Sequence, residues 1–267
     1  TYEAFLNFHK TYYHPSNSFI YLYGNMDMAE KLDWLDREYL SRYDRQPVDS
    51  AIASQEAFAS PVEKEIFYPI TDAESEEQAT YLSVNTVVGD DLDPALYMAF
   101  QILEYVLIDA PGAPLKEALI GAGIGQDIMG GYENGILQPY FSVIAKNASK
   151  EQKGEFLAVV KGTLRRLADQ GIGEKTLLAG INYYEFRYRE ADFGNAPKGL
   201  MYGLQCLDSW LYDGDPFMHL AYEDTFAFLK KGVKEGWFEG LLKKYLLDNP
   251  FEAVILVSPE KNLTAKE

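Results

Sequence analysis

One segment near the start of the chain constrains the fold most, because residues 8–27 combine a helix, a stop, a strand and a turn. Aromatic side chains recur at helical spacing up to Tyr13, and Pro15 forces the preceding residue out of the helical region, so a helix should end there. The apolar run 19–23 then predicts a short central strand ending at Gly24. This strand has no predicted neighbour to pair with.

A second helix follows the Gly turn, and a linker follows that helix. Asp27 and Glu30 have the spacing of a capping box, and the apolar face continues to about Tyr43. Periodicity then fades between residues 44 and 62, which predicts a linker. Residues 1–68 therefore form an incomplete helix, strand, helix unit, and we expect strand 19–23 to pair with another polypeptide or with the rest of this chain, or the segment to be mobile.

The remainder of the chain alternates strand and helix patterns in a different order. Asp93 and Pro94 mark the start of a helix so apolar that it must be buried, and Ser149 with Gln152 forms a capping box before another helix. This order predicts an α+β fold in which one antiparallel sheet carries its helices on one face. The strands are expected near 64–70, 81–88, 125–132, 137–145 and 253–257, with the third and fourth forming a hairpin and the last ended by Pro259.

Composition excludes several classes of protein. A hydrophobic fraction of 47% excludes a disordered chain, and a net charge of −17 argues against a nucleic-acid surface. No apolar run has the length of a membrane span, and no signal peptide opens the sequence. The single cysteine, Cys206, cannot form an internal disulfide and fits a reducing compartment. Its apolar neighbours predict a core position.

No residue pattern predicts catalytic chemistry. The histidines His9, His14 and His219 are scattered, and no His-x-x-Glu-His motif or its inverse occurs, so neither a catalytic residue nor a metal ligand nor a bound cofactor is expected. The glycines 121–125 follow a helix rather than a strand, which favours a tight bend over a phosphate loop. The acidic run 90–93 has the spacing of a helix start rather than of a calcium loop.

Tyrosine is the one residue type whose abundance suggests a binding surface. The chain has 20 tyrosines, and they are densest at Tyr183, Tyr184 and Tyr188. Tyrosine joins apolar area to a polar tip, so these three could line a peptide-binding cavity, although packing between helices explains them equally well.

The opening segment also resembles a known family. Tyr13-His14-Pro15-Ser16-Asn17, followed by a short apolar run and then Gly24-x-x-Asp27, is similar to the second half of a catalytic-type domain in the pitrilysin/insulinase superfamily of zinc peptidases, closest to the presequence protease branch. Residues 111–123 resemble the small-residue turn, short helix and Gly-x-Gly bend of that family. Residues 248–259 resemble its Asn-Pro-His strand, with Phe251 where the family commonly has His.

The resemblance implies that this chain is part of a larger bacterial, cytoplasmic peptidase. Residues 1–68 would be the end of the first domain plus a linker, and residues 69–267 the second, non-catalytic domain. The zinc motif would lie upstream of Thr1, so zinc is expected in the parent and not in this chain. The parent would degrade short unfolded peptides in a closed chamber. The partners implied are its other domains and a peptide, but neither nucleic acid nor membrane.

Two alternatives remain open at this point. The parent could be a proteolytically inactive relative that serves as a structural or assembly subunit. The chain could instead be an unrelated α+β peptide-binding domain. An intact zinc motif in the parent would favour the enzyme, and a fold without one helix-covered antiparallel sheet would favour the unrelated domain.

Overall fold

A computed structural model describes residues 1–191 and 193–263. Nine α-helices and five strands occur in these two ranges. The helices are α1 (Tyr2–Tyr12), α2 (Met28–Glu38), α3 (Pro94–Glu104), α4 (Pro114–Gly121), α5 (Lys153–Gln170), α6 (Glu174–Glu190), α7 (Lys198–Trp210), α8 (Glu223–Lys234) and α9 (Trp237–Leu241). The strands are β1 (Val62–Ile70), β2 (Thr80–Val87), β3 (Asp127–Glu133), β4 (Tyr140–Ala148) and β5 (Glu252–Lys261).

The five strands form one sheet in the order β1, β5, β2, β4, β3. The pairs β5–β2, β2–β4 and β4–β3 are antiparallel, and β1 joins the edge in parallel with β5. The α+β class, the predicted hairpin and the sharing of one sheet by the three predicted strands near 81–88, 137–145 and 253–257 are confirmed. The parallel direction of β1 was not predicted, because a strand's own sequence does not encode the direction of its partner.

Alternation along the central strands places the core on one face of the sheet. Leu82 and Val84 of β2 are buried, as are Val254 and Leu256 of β5, while the residues between them are half-exposed. Helices α3, α4 and α5 contact the buried face. The predicted all-round burial of the helix after Pro94 is confirmed, since Phe100 and Ile102 are fully buried. Asp93 caps this helix by accepting the amides of Ala95 and Leu96.

The prediction that Pro259 ends the last strand is wrong. Strand β5 continues to Lys261, and Pro259 is paired in register with Tyr68 of β1. The pairing of β5 with its other neighbour, β2, ends at Val257, so Pro259 has a partner strand on one side only. The missing N–H of a proline is tolerated where a strand has a partner on one side only.

The segment 19–23, predicted as a strand, has no strand partner among the described residues, and its pairing with another polypeptide stays a prediction. Residues 18–23 are extended but carry no strand pairing, because residues 1–61 contain no second strand to accept them. The segment lies against helix α7 instead. Phe19 meets Trp210 edge-to-face at 4.9 Å between ring centroids, and the rings of Tyr21 and Tyr23 lie against Gly203 and Gly199. Glycine at these positions allows the rings to approach the helix closely, because a Cβ at Gly203 would lie only 2.8 Å from the Tyr21 ring.

The amino-terminal segment has no core of its own. None of residues 1–61, all of which the structure describes, is buried. Helix α1 ends at Tyr12, as Pro15 predicts, and α2 is capped by Asp27, which accepts the amide of Glu30. Strand β1 spans the predicted division at residue 68 and belongs to the sheet of the following domain. None of the helices in the described ranges is long and apolar enough to cross a membrane.

Candidate functional site

A cavity of about 640 Å³ lies between three helices and the extended segment 18–23. Seven of its 19 lining residues are tyrosines, so we call it the tyrosine cavity. Its lining comprises Tyr21, Tyr23, Tyr97, Gln101, Asn134, Tyr184, Arg187, Tyr188, Arg189, Phe193, Met201, Tyr202, Leu204, Gln205, Cys206, Asp208, Phe217, Leu220 and Tyr222.

Helical spacing explains how the polar side chains converge on the tyrosine cavity. Residues three or four apart share one face of a helix, so each of three helices presents a neighbouring pair. These pairs are Tyr97 with Gln101 on α3, Tyr184 with Tyr188 on α6, and Gln205 with Asp208 on α7.

A carboxylate and a buried phenol define one end of the tyrosine cavity. The hydroxyl of Tyr97 donates to Oδ2 of Asp208 over 2.8 Å. Burial raises the pKa of Asp208 to about 6, with Glu133 adding a smaller repulsion and the Tyr97 bond opposing both. Asp208 is therefore predominantly ionised at pH 7. The pKa of Tyr97 is raised, chiefly by burial, so its hydroxyl keeps its proton.

Two glutamines and a tyrosine form a second polar group beside that carboxylate. The Nε2 groups of Gln101 and Gln205 donate to the hydroxyl oxygen of Tyr188 over 3.5 and 3.3 Å. Gln205 also donates to the carbonyl of His219 over 3.2 Å. Burial raises the pKa of Tyr188 to about 12. The group is thus uncharged at pH 7 and fixes the side chains of α3, α6 and α7 relative to one another.

Asp91 and His219 lie behind the cavity wall as a fully buried pair. Nε2 of His219 is 3.9 Å from Oδ1 of Asp91, and neither side chain hydrogen-bonds to the described residues. Burial raises the pKa of Asp91 to about 8, helped by Asp208 and Asp90, and lowers that of His219 to about 4. Although the separation would allow an ion pair, both groups are neutral at pH 7 because charge without hydrogen bonds is costly in the interior. The imidazole stacks on Tyr97 at 3.8 Å.

The three tyrosines predicted from the sequence occupy different places. Tyr184 and Tyr188 line the tyrosine cavity, and Tyr183 does not. Tyr183 stacks on Tyr105 at 4.4 Å between ring centroids, outside the lining, and the guanidinium of Arg187 lies over its ring at 5.6 Å. Their role toward a substrate stays a prediction.

The three histidines do not fit a catalytic zinc site. His9 stacks on Tyr13, and Nδ1 of His14 accepts the amide of Ser16 at the start of a short helical turn. His219 is buried beside Asp91, far along the chain from both. Within residues 1–191 and 193–263, no group of three or more His, Cys, Asp or Glu side chains could hold a metal ion. No catalytic step through zinc follows from these residues.

The structure also shows the positions of the glycine bend, the helix cap and the cysteine that the sequence singled out. Gly123 and Gly125 both have positive φ at the bend between α4 and β3, and a Cβ at Gly125 would lie 2.8 Å from the carbonyl of Lys146. Asp93 caps α3, and the thiol of Cys206 is buried. The acid that the sequence analysis missed is Asp208, which sits in an apolar stretch of α7, where a lone charged residue was the available signal.

A second cavity of about 730 Å³ lies on the helix-free face of the sheet. The linker before β1 forms one wall. The side-chain amide of Gln138 binds the backbone of Gln55 twice, donating over 3.0 Å and accepting over 2.7 Å. Phe58 meets Phe251 edge-to-face at 4.9 Å. The linker is thus attached to the sheet face and not free in solvent.

Comparison with solved structures defines the class of fold. A protease from Helicobacter pylori superposes with a TM-score of 0.72 at 12% identity, covering 97% of this chain and 59% of that one. A peptidase M16 inactive domain from Pseudomonas fluorescens gives a TM-score of 0.60 at 15% identity, covering 89% and 52%. This chain therefore shares the fold of these two structures.

The chain belongs to the family described as Peptidase M16 inactive domain, whose model matches residues 1–183, and so to the pitrilysin/insulinase superfamily. It is 42% identical to Protein HypA of Clostridium perfringens and 31% identical to presequence protease 1, chloroplastic/mitochondrial, of Arabidopsis thaliana. Each alignment covers all of this chain but only 27% and 25% of the relative. The predicted family is confirmed, and the alternative of an unrelated α+β domain is wrong.

Proposed function

We propose that this chain is a non-catalytic part of a zinc-dependent metalloendopeptidase that degrades short unfolded peptides. It would contribute chamber wall and scaffold, and the zinc and its ligands would come from the rest of the parent. Family membership supports the peptidase, and the non-catalytic role is supported by the family's description as an inactive domain and by the lack of a metal-binding side-chain group among the described residues. The chain spans about a quarter of its curated relatives, which leaves room for a catalytic domain elsewhere.

The observation that carries this proposal is the lack of a core in residues 1–61. Large apolar side chains there, including Phe5, Phe8 and Trp34, are about half-exposed or more. Exposed apolar surface of this kind marks an interaction site, and the unpaired backbone of residues 18–23 can add to the edge of a sheet. We infer that residues 1–61 complete a preceding domain of the parent and that the second domain begins with β1 at Val62, which moves the division predicted at residue 68 to the start of that strand; residues 264–267 of the second domain lie outside the described residues.

The compartment we infer is the bacterial cytoplasm. The 42% identity to a clostridial protein favours a bacterial source, and the single buried cysteine fits a reducing environment. The mitochondrial and chloroplast proteases among the relatives are named for other compartments. The parent's own start would decide between these, because a targeting segment would stand there.

Assembly with the rest of the parent tests the proposal. We would express that remainder as a separate polypeptide, mix it with this chain and follow amide hydrogen exchange in residues 18–23. We expect slow exchange in the mixture and fast exchange in the chain alone, because strand pairing protects amides. Chelator-sensitive cleavage of an unfolded peptide should occur only with the remainder present. Equal exchange in both samples would contradict the assembly role, and a parent without a zinc motif would favour the inactive subunit.

A further inference from the structure

We propose that the tyrosine cavity binds the positively charged side chain of a lysine or arginine in a peptide, with the Asp208 carboxylate as its counter-ion. This inference rests on the proposed function, because it names the chemistry of the peptide that the chamber wall would contact. It also gives Tyr184 and Tyr188 a defined part in the site. Three features of the cavity support this proposal. The Asp208 carboxylate has no cationic partner among the described residues, tyrosine rings line the cavity, and the two arginines of the lining already contact other groups.

The carboxylate of Asp208 has no positively charged partner in the part of the chain that the structure describes. Its one hydrogen bond from the described residues comes from the neutral hydroxyl of Tyr97, over 2.8 Å. Among the described residues, no lysine, arginine or histidine nitrogen lies within ion-pairing distance of Asp208, and the neighbouring charged group that acts on it is the acidic Glu133. An ionised carboxylate in a partly buried cavity is stabilised when a cationic group enters and donates hydrogen bonds to its oxygens.

The aromatic side chains that line the tyrosine cavity also favour a cationic side chain. Tyr188 and Tyr222 meet edge-to-face with 5.5 Å between ring centroids, and both line the cavity with Tyr184. An ammonium or guanidinium group over the face of a tyrosine is attracted by the electron-rich ring. Aromatic walls also cover the apolar stem of a lysine or arginine, which pairs apolar surface with a charged tip.

The two arginines of the lining do not neutralise Asp208. Arg187 lies over the rings of Tyr183 and Tyr184 at 5.6 and 6.0 Å, and Nη2 of Arg189 pairs with Oε1 of Glu185 at 2.8 Å. Arg187 in addition shows that a guanidinium packs on the tyrosines of α6. Both arginines of the lining are thus already engaged, whereas the carboxylate on α7 has no cationic partner among the described residues.

Other ligands fit less well. An anionic side chain would be repelled by Asp208, and by Glu133 behind it. A neutral apolar side chain would remove water from an ionised carboxylate without replacing its hydrogen bonds, which is unfavourable. The net charge of −17 adds a long-range attraction for cationic peptides.

Three capped tripeptides test the proposal on the whole chain by isothermal titration calorimetry. They are acetyl-Ala-Lys-Ala-amide and the same peptide with norleucine or glutamate in the centre, so that length and apolar stem are nearly matched. We expect the lysine peptide to bind about tenfold more tightly than the norleucine peptide, and the glutamate peptide to bind most weakly. Equal affinity for lysine and norleucine, or no binding of the lysine peptide at millimolar concentration, would overturn the proposal.

Substitutions locate the charge that is responsible. Asp208→Asn keeps an acceptor for Tyr97 and removes the charge, so it should abolish the preference for lysine over norleucine. Asp169→Asn makes the same change at an exposed position of α5 and should leave the preference intact. An Asp208→Asn protein that still prefers lysine would contradict the role of Asp208. If that variant does not fold by circular dichroism, the three peptides on the unmodified chain still decide the question.

The outcome can be separated from that of the proposed function. Assembly with the rest of the parent is measured by hydrogen exchange in residues 18–23, and charge preference by calorimetry on the chain alone. Assembly without charge preference overturns the cation site and leaves the scaffold role standing. Charge preference without assembly overturns the scaffold role and leaves the cation site standing.

Discussion

At the scale of single residues, burial determines which groups carry charge. Asp91 and His219 face each other in the interior and are both held neutral at pH 7. Asp208, which is connected to them through Tyr97, is ionised. The difference follows from solvation, because the Asp91 side chain is fully buried with no hydrogen-bond partner among the described residues, whereas Asp208 borders the tyrosine cavity.

The Asp91 carboxyl should make the free energy of unfolding depend on pH between 7 and 8. Its pKa rises from 3.8 to about 8 on folding, so in this window the folded chain holds a proton that the unfolded chain has released. Stability is therefore lost as pH rises, by about 1 kcal/mol across the window. His219 and Asp208 titrate mainly below this window, with folded pKa values of about 4 and 6. Glu104, whose pKa is raised to about 7 chiefly by burial, titrates at its lower edge and adds a smaller loss of the same sign.

Urea unfolding of the Asp91→Asn variant at pH 7 and pH 8 checks this. The free energy of unfolding of the variant should change less between pH 7 and pH 8 than that of the unmodified chain, because asparagine does not titrate. Asp169→Asn, at an exposed position, serves as the control and should retain the loss. An equal loss of stability in the Asp91→Asn protein would assign the pH dependence to another group.

At the scale of elements, residues 19–23, which the sequence predicts as a strand, pack against helix α7 and have no strand partner among the described residues. Two residues of extended chain span about the same length as one turn of helix. Tyr21 and Tyr23 therefore meet Gly203 and Gly199 of α7, which are one turn apart. The segment forms one wall of the tyrosine cavity and covers the neighbourhood of the buried Cys206.

Gly203→Ala should loosen this contact. The added Cβ would come within 2.8 Å of the Tyr21 ring, so the ring must move away from α7. We expect the thiol of Cys206 to react several-fold faster with a thiol reagent such as dithionitrobenzoate. Gly162→Ala on α5, where a Cβ would have no neighbour within 4 Å, should leave the rate unchanged. An unchanged rate in the Gly203→Ala protein would mean that the segment does not protect the thiol.

A buried ion pair should hold α5 to the sheet. Glu252 of β5 is buried and pairs with Lys161 of α5, and Lys161 also donates to the carbonyl of Leu246 over 2.8 Å. Replacing Lys161 by methionine leaves the carboxylate without its cation in the interior, which should cost about 3 kcal/mol of stability.

Lys150→Met provides the matched comparison. Lys150 pairs with Glu65 at 2.6 Å, but its side chain is 55% exposed, so its loss should cost less than about 1 kcal/mol. Denaturant midpoints of the two variants measure the difference. Equal costs would show that burial does not set the strength of the pair at Glu252.

At the scale of the whole molecule, the patterns that were predictable are those that a segment encodes locally. Alternation predicted β2, and the caps at Asp93 and Ser149 predicted the helix starts that follow them. Partner choice was not predictable, because the parallel pairing of β1 with β5 joins segments far apart in the chain. The same applies to the cavity, since its three polar pairs come from α3, α6 and α7 and meet only after the helices have packed.

Peptide hydrolysis by the purified chain tests the central claim most directly. The chain would be incubated with an equimolar amount of zinc and an unfolded peptide, with and without a chelator, and its metal content measured after dialysis. We predict neither stoichiometric zinc nor chelator-sensitive cleavage, because the three histidines lie apart and no metal-binding group occurs in the described ranges. Stoichiometric zinc together with cleavage that the chelator stops would contradict the assignment of this chain as a non-catalytic domain.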